Sequence, residues 1–236
     1  MNLIRKGHGH AHRGVIGVEA AIVMIAFVIV AAALAFVVLN MGFSTTQKAK
    51  TTIISGLSEA SSSLEVAGKV IGIACTTAAG GCSATPYLNA TGIPIRIASG
   101  GDAVDLDGSR TQVKYLSNSI EYDNIYAGAI TTSTSDDLEE AFDDAVAAFA
   151  AVTSNPVDDF GAETAAFTYW AVSRGTQNAI LDEGEHAVLA IGFDTTPEER
   201  PTSLDKIRVE VIVANGASLT VERGIPTLTH RVTDLG

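Results

Sequence analysis

Twenty residues from Ala20 to Leu39, AAIVMIAFVIVAAALAFVVL, contain no polar side chain. Coiled into a helix, this run is about 30 Å long and matches the hydrocarbon core of a bilayer. It predicts a transmembrane helix. A cleaved secretory signal has an apolar region of only about 7–15 residues ending in a small-residue site, and no A-x-A site precedes the polar boundary at Asn40. Helical patterning continues beyond that boundary. Ala49, Ile53, Leu57, Ala60, Leu64, Ala67 and Ile71 follow one another three or four residues apart, which places them on one face. One helix over residues 15–71 is then expected, roughly 85 Å long and well beyond any bilayer. Apolar all round in its first half and striped in its second, it needs other helices to bury it. The chain holds no partner of similar length, so the expected partner is another copy.

Past Ile71 the pattern shortens to strands: 93–97, 111–115, 165–172, 186–193, 206–214 and 218–222. In KIRVEVIVA, Ile207, Val209, Val211 and Val213 fall on one face, with Arg208 and Glu210 on the other. That alternation is the mark of a half-buried strand. The expected fold class is α+β, a long N-terminal hydrophobic α-helix followed by an antiparallel β-sandwich or barrel over residues 72–236. A domain of that size buries about 70% of its unfolded surface and folds without staples. One helix interrupts the strands at 136–152, DDLEEAFDDAVAAFAAV, capped by Ser135. Acids in its first turn suit the helix dipole, and the segment reads as a surface insertion.

Charge divides the chain in the same places. Residues 1–14 carry Arg5, Lys6 and Arg13 and no acid, residues 15–70 balance three lysines against three glutamates, and the remainder holds the excess acid. With 27 acidic and 15 basic side chains the net charge is -12, and removing the +3 leader leaves -12 - 3 = -15. The basic flank places the leader in the cytoplasm and the acidic body outside the membrane. Clustered Lys and Arg, which a nucleic-acid partner requires, are missing. The high apolar content and the presence of only two cysteines exclude a disordered tail and a disulfide scaffold.

Several residues carry candidate chemistry. Cys75 and Cys82 enclose a Thr, Ala and Gly hexapeptide after the helix, where a disulfide is permitted outside the membrane; two buried thiols are the alternative. Asn89-Ala-Thr91 is the one N-glycosylation sequon, in a Pro, Thr and Gly segment read as an accessible loop. Asp102, Asp105 and Asp107 resemble a cation loop but lack the terminal glutamate of a calcium site, and turn chemistry explains them equally. A structural divalent cation there is a weak candidate, and no other cofactor is indicated. His8, His10 and His12 read as a solvated leader. Gly68-Lys69-Val70 lacks the hydroxyl of a phosphate loop, and neither His186 nor His230 adjoins a catalytic motif. No enzyme is expected.

The junction Arg13-Gly14-Val15-Ile16-Gly17-Val18-Glu19, set against the apolar run, resembles the class III signal of type IV pilin-like proteins. Residues 13 to about 68 look like the N-terminal region of archaellins, the archaeal flagellins, of the crenarchaeal type. IPIRIASGGDAVDLDGSRTQVKYLS, LDEGEHAVLAIGF and ASLTVERGIP resemble their outer domains. The resemblance implies that a prepilin-type (preflagellin) peptidase cuts between Gly14 and Val15 on the cytoplasmic side. It also implies that Glu19 pairs with the terminal amine of a neighbouring subunit; a carboxylate facing headgroups is the alternative. The implied product is a homopolymer, an extracellular flagellum filament held by a membrane platform and driven by a separate motor. Family members are often glycosylated, which supports Asn89. Two other functions stay open: an adhesive archaeal type IV pilin, and a membrane-anchored extracellular enzyme or ligand-binding domain.

Overall fold

In the computed structural model, residues 13–61, 63–75, 86–157, 163–173, 177–194 and 200–236 are described. The chain divides into two compact units that meet at Ser55 and Gly56. The first element, α1, runs from Arg13 to Ser61.

The β domain opens with β1 (Leu64–Val66), β2 (Ile71–Cys75), β3 (Tyr87–Ile97) and β4 (Val104–Asp105). There follow β5 (Gln112–Leu116), β6 (Glu121–Tyr122), β7 (Tyr126–Thr134) and helix α2 (Leu138–Ala148). The remaining strands are β8 (Ala165–Val172), β9 (Ile180–Leu181), β10 (His186–Gly192), β11 (Lys206–Ile212), β12 (Leu219–Gly224) and β13 (Val232–Asp234). A seven-stranded sheet has the order β13-β2-β3-β10-β8-β7, with β1 also paired to β3, and a four-stranded sheet has the order β12-β11-β5-β6. The long helix and mostly antiparallel β domain match the expected class.

The main core lies between these sheets. Ile93, Ile95, Trp170, Leu189 and Ile191 pack with Val113, Tyr115, Ile207, Val209 and Val211, all buried. A second core lies against the seven-stranded sheet's other face, where Phe167, Tyr169, Ala190 and Ile73 meet Leu138, Ala141, Phe142 and Ala145 of α2. Strand β8 serves both: Phe167 and Tyr169 point to α2, while Ala166 and Trp170 point between the sheets. A strand covered on both faces reads as a continuous apolar run, which AAFTYWAV nearly is.

Four expectations are corrected. The first helix ends at Ser61, not Ile71. Leu64 and Ala67 satisfy the helical spacing, but Leu64 and Val66 alternate as a strand equally well, and their pairing with Ile97 and Ile95 wins. Ala98 N–H donates to Ser63 O at 3.0 Å and Ala67 N–H to Pro94 O at 2.8 Å, so the domain grips the chain from Ser63 onward. Secondly, α2 covers 138–148 rather than 136–152, and its cap is Asp137, whose side chain accepts the Glu140 N–H at 2.9 Å, not Ser135. Thirdly, α2 is no surface insertion: it connects β7 to β8, which pair in parallel, and such a pair requires a crossover. The fourth concerns Asn89, which stands inside β3 rather than in a loop.

Candidate assembly helix and processing junction

Helix α1 has 49 residues, about 74 Å at 1.5 Å per residue. Its apolar half is built of alanines with Val, Ile, Leu and Phe, and Gly17, Gly42 and Gly56 interrupt nothing. From Val18 to Leu57 its large apolar side chains are 52–73% exposed, Phe27 the most and Val37 the least. The stretch Gly17–Leu57 has a window of mean hydropathy 3.3 with none of it buried. Those 41 residues extend about 60 Å, twice the hydrocarbon thickness. Lipid can cover one half only. Each large side chain left in water forgoes about 1.5–3 kcal/mol, so the sum over the remainder is too large to leave uncovered.

The polar residues in the second half adapt it to burial. Thr45, Thr46, Thr51 and Thr52 donate their hydroxyls to the carbonyls of Met41, Gly42, Gln47 and Lys48 at 2.8–3.0 Å. Their hydrogen-bonding capacity is met within α1, so these threonines present methyl groups at little polar cost. Between Arg13 and Glu59 the only charged side chains are Glu19, Lys48 and Lys50. At 3.6 residues per turn, Glu19 and Lys48 point within about 20° of each other, some 44 Å apart along the axis, while Lys50 points to the far side. Sequence reasoning singled out Glu19 but missed Lys48, whose signal was the 29-residue separation, almost exactly eight turns.

Gly14 and Val15 lie in the first turn of α1, one turn before Glu19, which is exposed. The other candidates belong to the β domain. Cys75 ends β2, but its side chain and Cys82 lie outside the described residues, as does the proposed clamp. Asn89 is only 4% exposed, and its Oδ1 accepts from Arg200 Nη1 at 3.2 Å. Arg200 Nε in turn donates to Asp194 O at 2.5 Å. Thr91, the sequon's hydroxyl residue, is fully buried. The folded domain therefore does not present this sequon to a glycosylating enzyme.

Asp102 is exposed in the loop before β4. Asp105 Oδ1 accepts the Asp107 N–H at 3.0 Å, and its Oδ2 lies 3.1 Å from Arg110 Nη1. Asp107 Oδ1 accepts both the hydroxyl and the N–H of Ser109, at 2.6 and 2.9 Å. Those two bonds hold the Asp107 carboxyl below its ordinary value. The loop aspartates thus tie the turn into β5, and among the described residues no three His, Cys, Asp or Glu side chains gather as metal ligands.

Residues 14–223 match the family model of archaeal-type flagellin. A relative named "Probable flagellin 1", from Aeropyrum pernix, is 38% identical over 214 residues, 91% of this chain and 92% of that one. "Probable flagellin 2" of Archaeoglobus fulgidus is 43% identical over 96 residues, 40% of this chain and 46% of the relative. Among solved structures, the archaeal flagellum of Methanospirillum hungatei is similar with a TM-score of 0.54 and 23% identity, covering 93% of this chain and 99% of that one. A crystal structure of an archaeal flagellin from Methanocaldococcus jannaschii gives 0.56 and 16%, covering 74% and 96%. Both structures share the fold.

Proposed function

Because the chain belongs to the archaeal-type flagellin family, we propose that it is the structural subunit of an archaeal flagellum filament, exported through its N-terminal helix and polymerised by it for swimming. The observation that carries this reading is α1 itself, apolar on every side in its first half, striped in its second, and with exposed large apolar side chains along about twice the thickness of a bilayer. In the precursor, α1 sits in the cell membrane with the leader in the cytoplasm. A preflagellin peptidase then cuts between Gly14 and Val15. Withdrawing the helix from lipid is tolerable only where equivalent apolar contacts replace the acyl chains, and helices of other copies supply them. The β domains form the extracellular surface, where a charge of about -15 per subunit keeps the filament hydrophilic. A membrane platform and a separate motor turn it; the subunit performs no catalysis.

Glu19 enters this reading as an assembly residue. A carboxylate on an apolar helix is costly when unpaired, so in the packed core it needs a cation from another copy. Mass spectrometry of filament subunits tests the processing step: the mature chain is expected to begin at Val15. Gly14→Val is expected to leave an uncut chain in the membrane and no filaments. A normal filament yield from that variant, or filament subunits beginning at Met1, would refute the cut. Cells lacking the gene are expected to lose swimming and keep surface attachment; the opposite pair of phenotypes would favour an adhesive pilin.

A further inference from the structure

We propose that Lys48 of one copy is the cation that meets Glu19 of another, so that this pair sets the axial register of α1 helices in the filament. The inference rests on the filament reading above and names the contact that orders it. Three charged side chains interrupt α1 between Arg13 and Glu59, and Lys48 has no acid one turn away on either side, where Ser44, Thr45, Thr51 and Thr52 stand. Neither Glu19 nor Lys48 can reach the other within one rigid helix, since about 44 Å separates them. Yet they share a face, joined by a stripe that includes Val23, Ala26, Val30, Val37 and Met41, all exposed.

That shared face decides the geometry. In a screw-symmetric assembly every copy turns the same side of its helix to the axis. Lateral contacts in such an assembly join unlike faces, so groups of one face meet the same face of copies above and below only along the stripe turned to the axis, and the pair requires the Glu19–Lys48 stripe to be that inward one. An axial displacement of about 44 Å brings Glu19 of the upper copy level with Lys48 of the lower. Lys50, on the other side, is excluded. Two opposite charges at the ends of one apolar stripe select this displacement, because any other leaves Lys48 desolvated and unpaired and Glu19 with only the Val15 amine of another copy to meet it. The polar pair then contributes register rather than bulk stability, as single buried polar residues do in coiled coils.

Charge exchange tests the pair in cells producing the full chain. Filament yield is read by electron microscopy and processing by the mature N-terminus. Glu19→Lys and Lys48→Glu, each alone, are expected to lower filament yield on the order of tenfold or more while the chain still begins at Val15. Combined, they are expected to restore filaments, and Lys50→Glu is expected to leave the yield near that of the unaltered chain. A double variant as defective as Glu19→Lys, or single variants that assemble normally, would overturn the pair; the former would return Glu19 to the Val15 amine. A second variant, Glu19→Cys with Lys48→Cys, removes both charges and is expected to assemble and, on addition of a mild thiol oxidant that accepts the two electrons, to yield disulfide-linked copies joined at 19 and 48. Filaments from it without that link would also overturn the register. Failure of the unaltered, processed chain to form filaments would instead sink the filament reading, and the register with it.

Discussion

Phe142 decides whether α2 is a structural layer or an appendage. Its side chain is 1% exposed, and its ring stands edge-on to Phe167, with centroids 4.9 Å apart at 86°. It also covers Gly192 of β10, where an added Cβ would lie 3.0 Å from Phe142 Cε1 and 3.0 Å from Pro156 Cγ. Phe142→Ala removes the ring from a site walled by sheet and helix, which cannot collapse freely. The expected loss is about 3–5 kcal/mol, of which about 0.5–1.5 belongs to the aromatic pair. For a domain of this size that corresponds to a fall in Tm of about 6–20 °C.

The assay is thermal and urea unfolding of residues 56–236, a compact unit with its own core, followed by circular dichroism and by the fluorescence of Trp170. Because Trp170 lies in the other core, coincident transitions would also show that the two cores unfold together. Gly192→Ala alone is expected to cost about 1–3 kcal/mol through crowding. In the Phe142→Ala background most of that cost should disappear, Pro156 keeping a part, for a coupling of about 0.5–3 kcal/mol. A loss below about 1 kcal/mol for Phe142→Ala, or strict additivity of the two changes, would refute the packed-crossover account.

Asp205 offers a pH-dependent test. Burial pushes its carboxyl up, but the N–H and hydroxyl of Thr202 and the Asn118 amide together hold it below its ordinary value, each at 2.8 Å. A depressed folded value means stabilisation that is present above the unfolded value, about 3.9, and lost as pH falls through the folded one. Asp205→Ala should therefore cost about 1–3 kcal/mol at neutral pH, and the gap to the unaltered chain should narrow in acid; a gap that stays constant or widens below pH 4 would contradict the hydrogen-bonded carboxylate. At Asn89, mass spectrometry of filament subunits is expected to find the peptide without a glycan. Asn89→Ala should destabilise the domain by removing the buried hydrogen bond from Arg200, whereas a glycan on Asn89 of the folded subunit would refute its burial.

Alternation in β11 and near-continuous apolar runs in β8 and β10 made these strands legible to within a residue or two at most ends, because one or both of their faces are buried. The Ala, Gly and Thr composition of β7 carries no such signal, and β4, β9 and β13 are too short to show a period. The stretch after Ser61 satisfied two patterns at once, and its fate depended on β3, some 30 residues away, which no local reading contains. Pro86, Gly92 and Pro94 made the start of β3 look like a loop. Gly92 is instead a close approach in the sheet, where a Cβ would lie 3.3 Å from Ile71 Cγ1, and the Pro94 carbonyl accepts from Ala67. The sequon could not be judged by its three residues, since Arg200, more than a hundred positions on, is what satisfies Asn89. The assembly helix was legible because its chemistry is local and repetitive; the charge pair on it needed the helix to be continuous over eight turns.

A density map of the native filament at side-chain resolution tests the central claim most directly. It should show α1 helices beginning at Val15, their faces from Val18 to Leu57 buried against other α1 helices around the axis, and the β domains outside. A filament built on contacts between β domains, with α1 left at its surface or missing, would contradict the account.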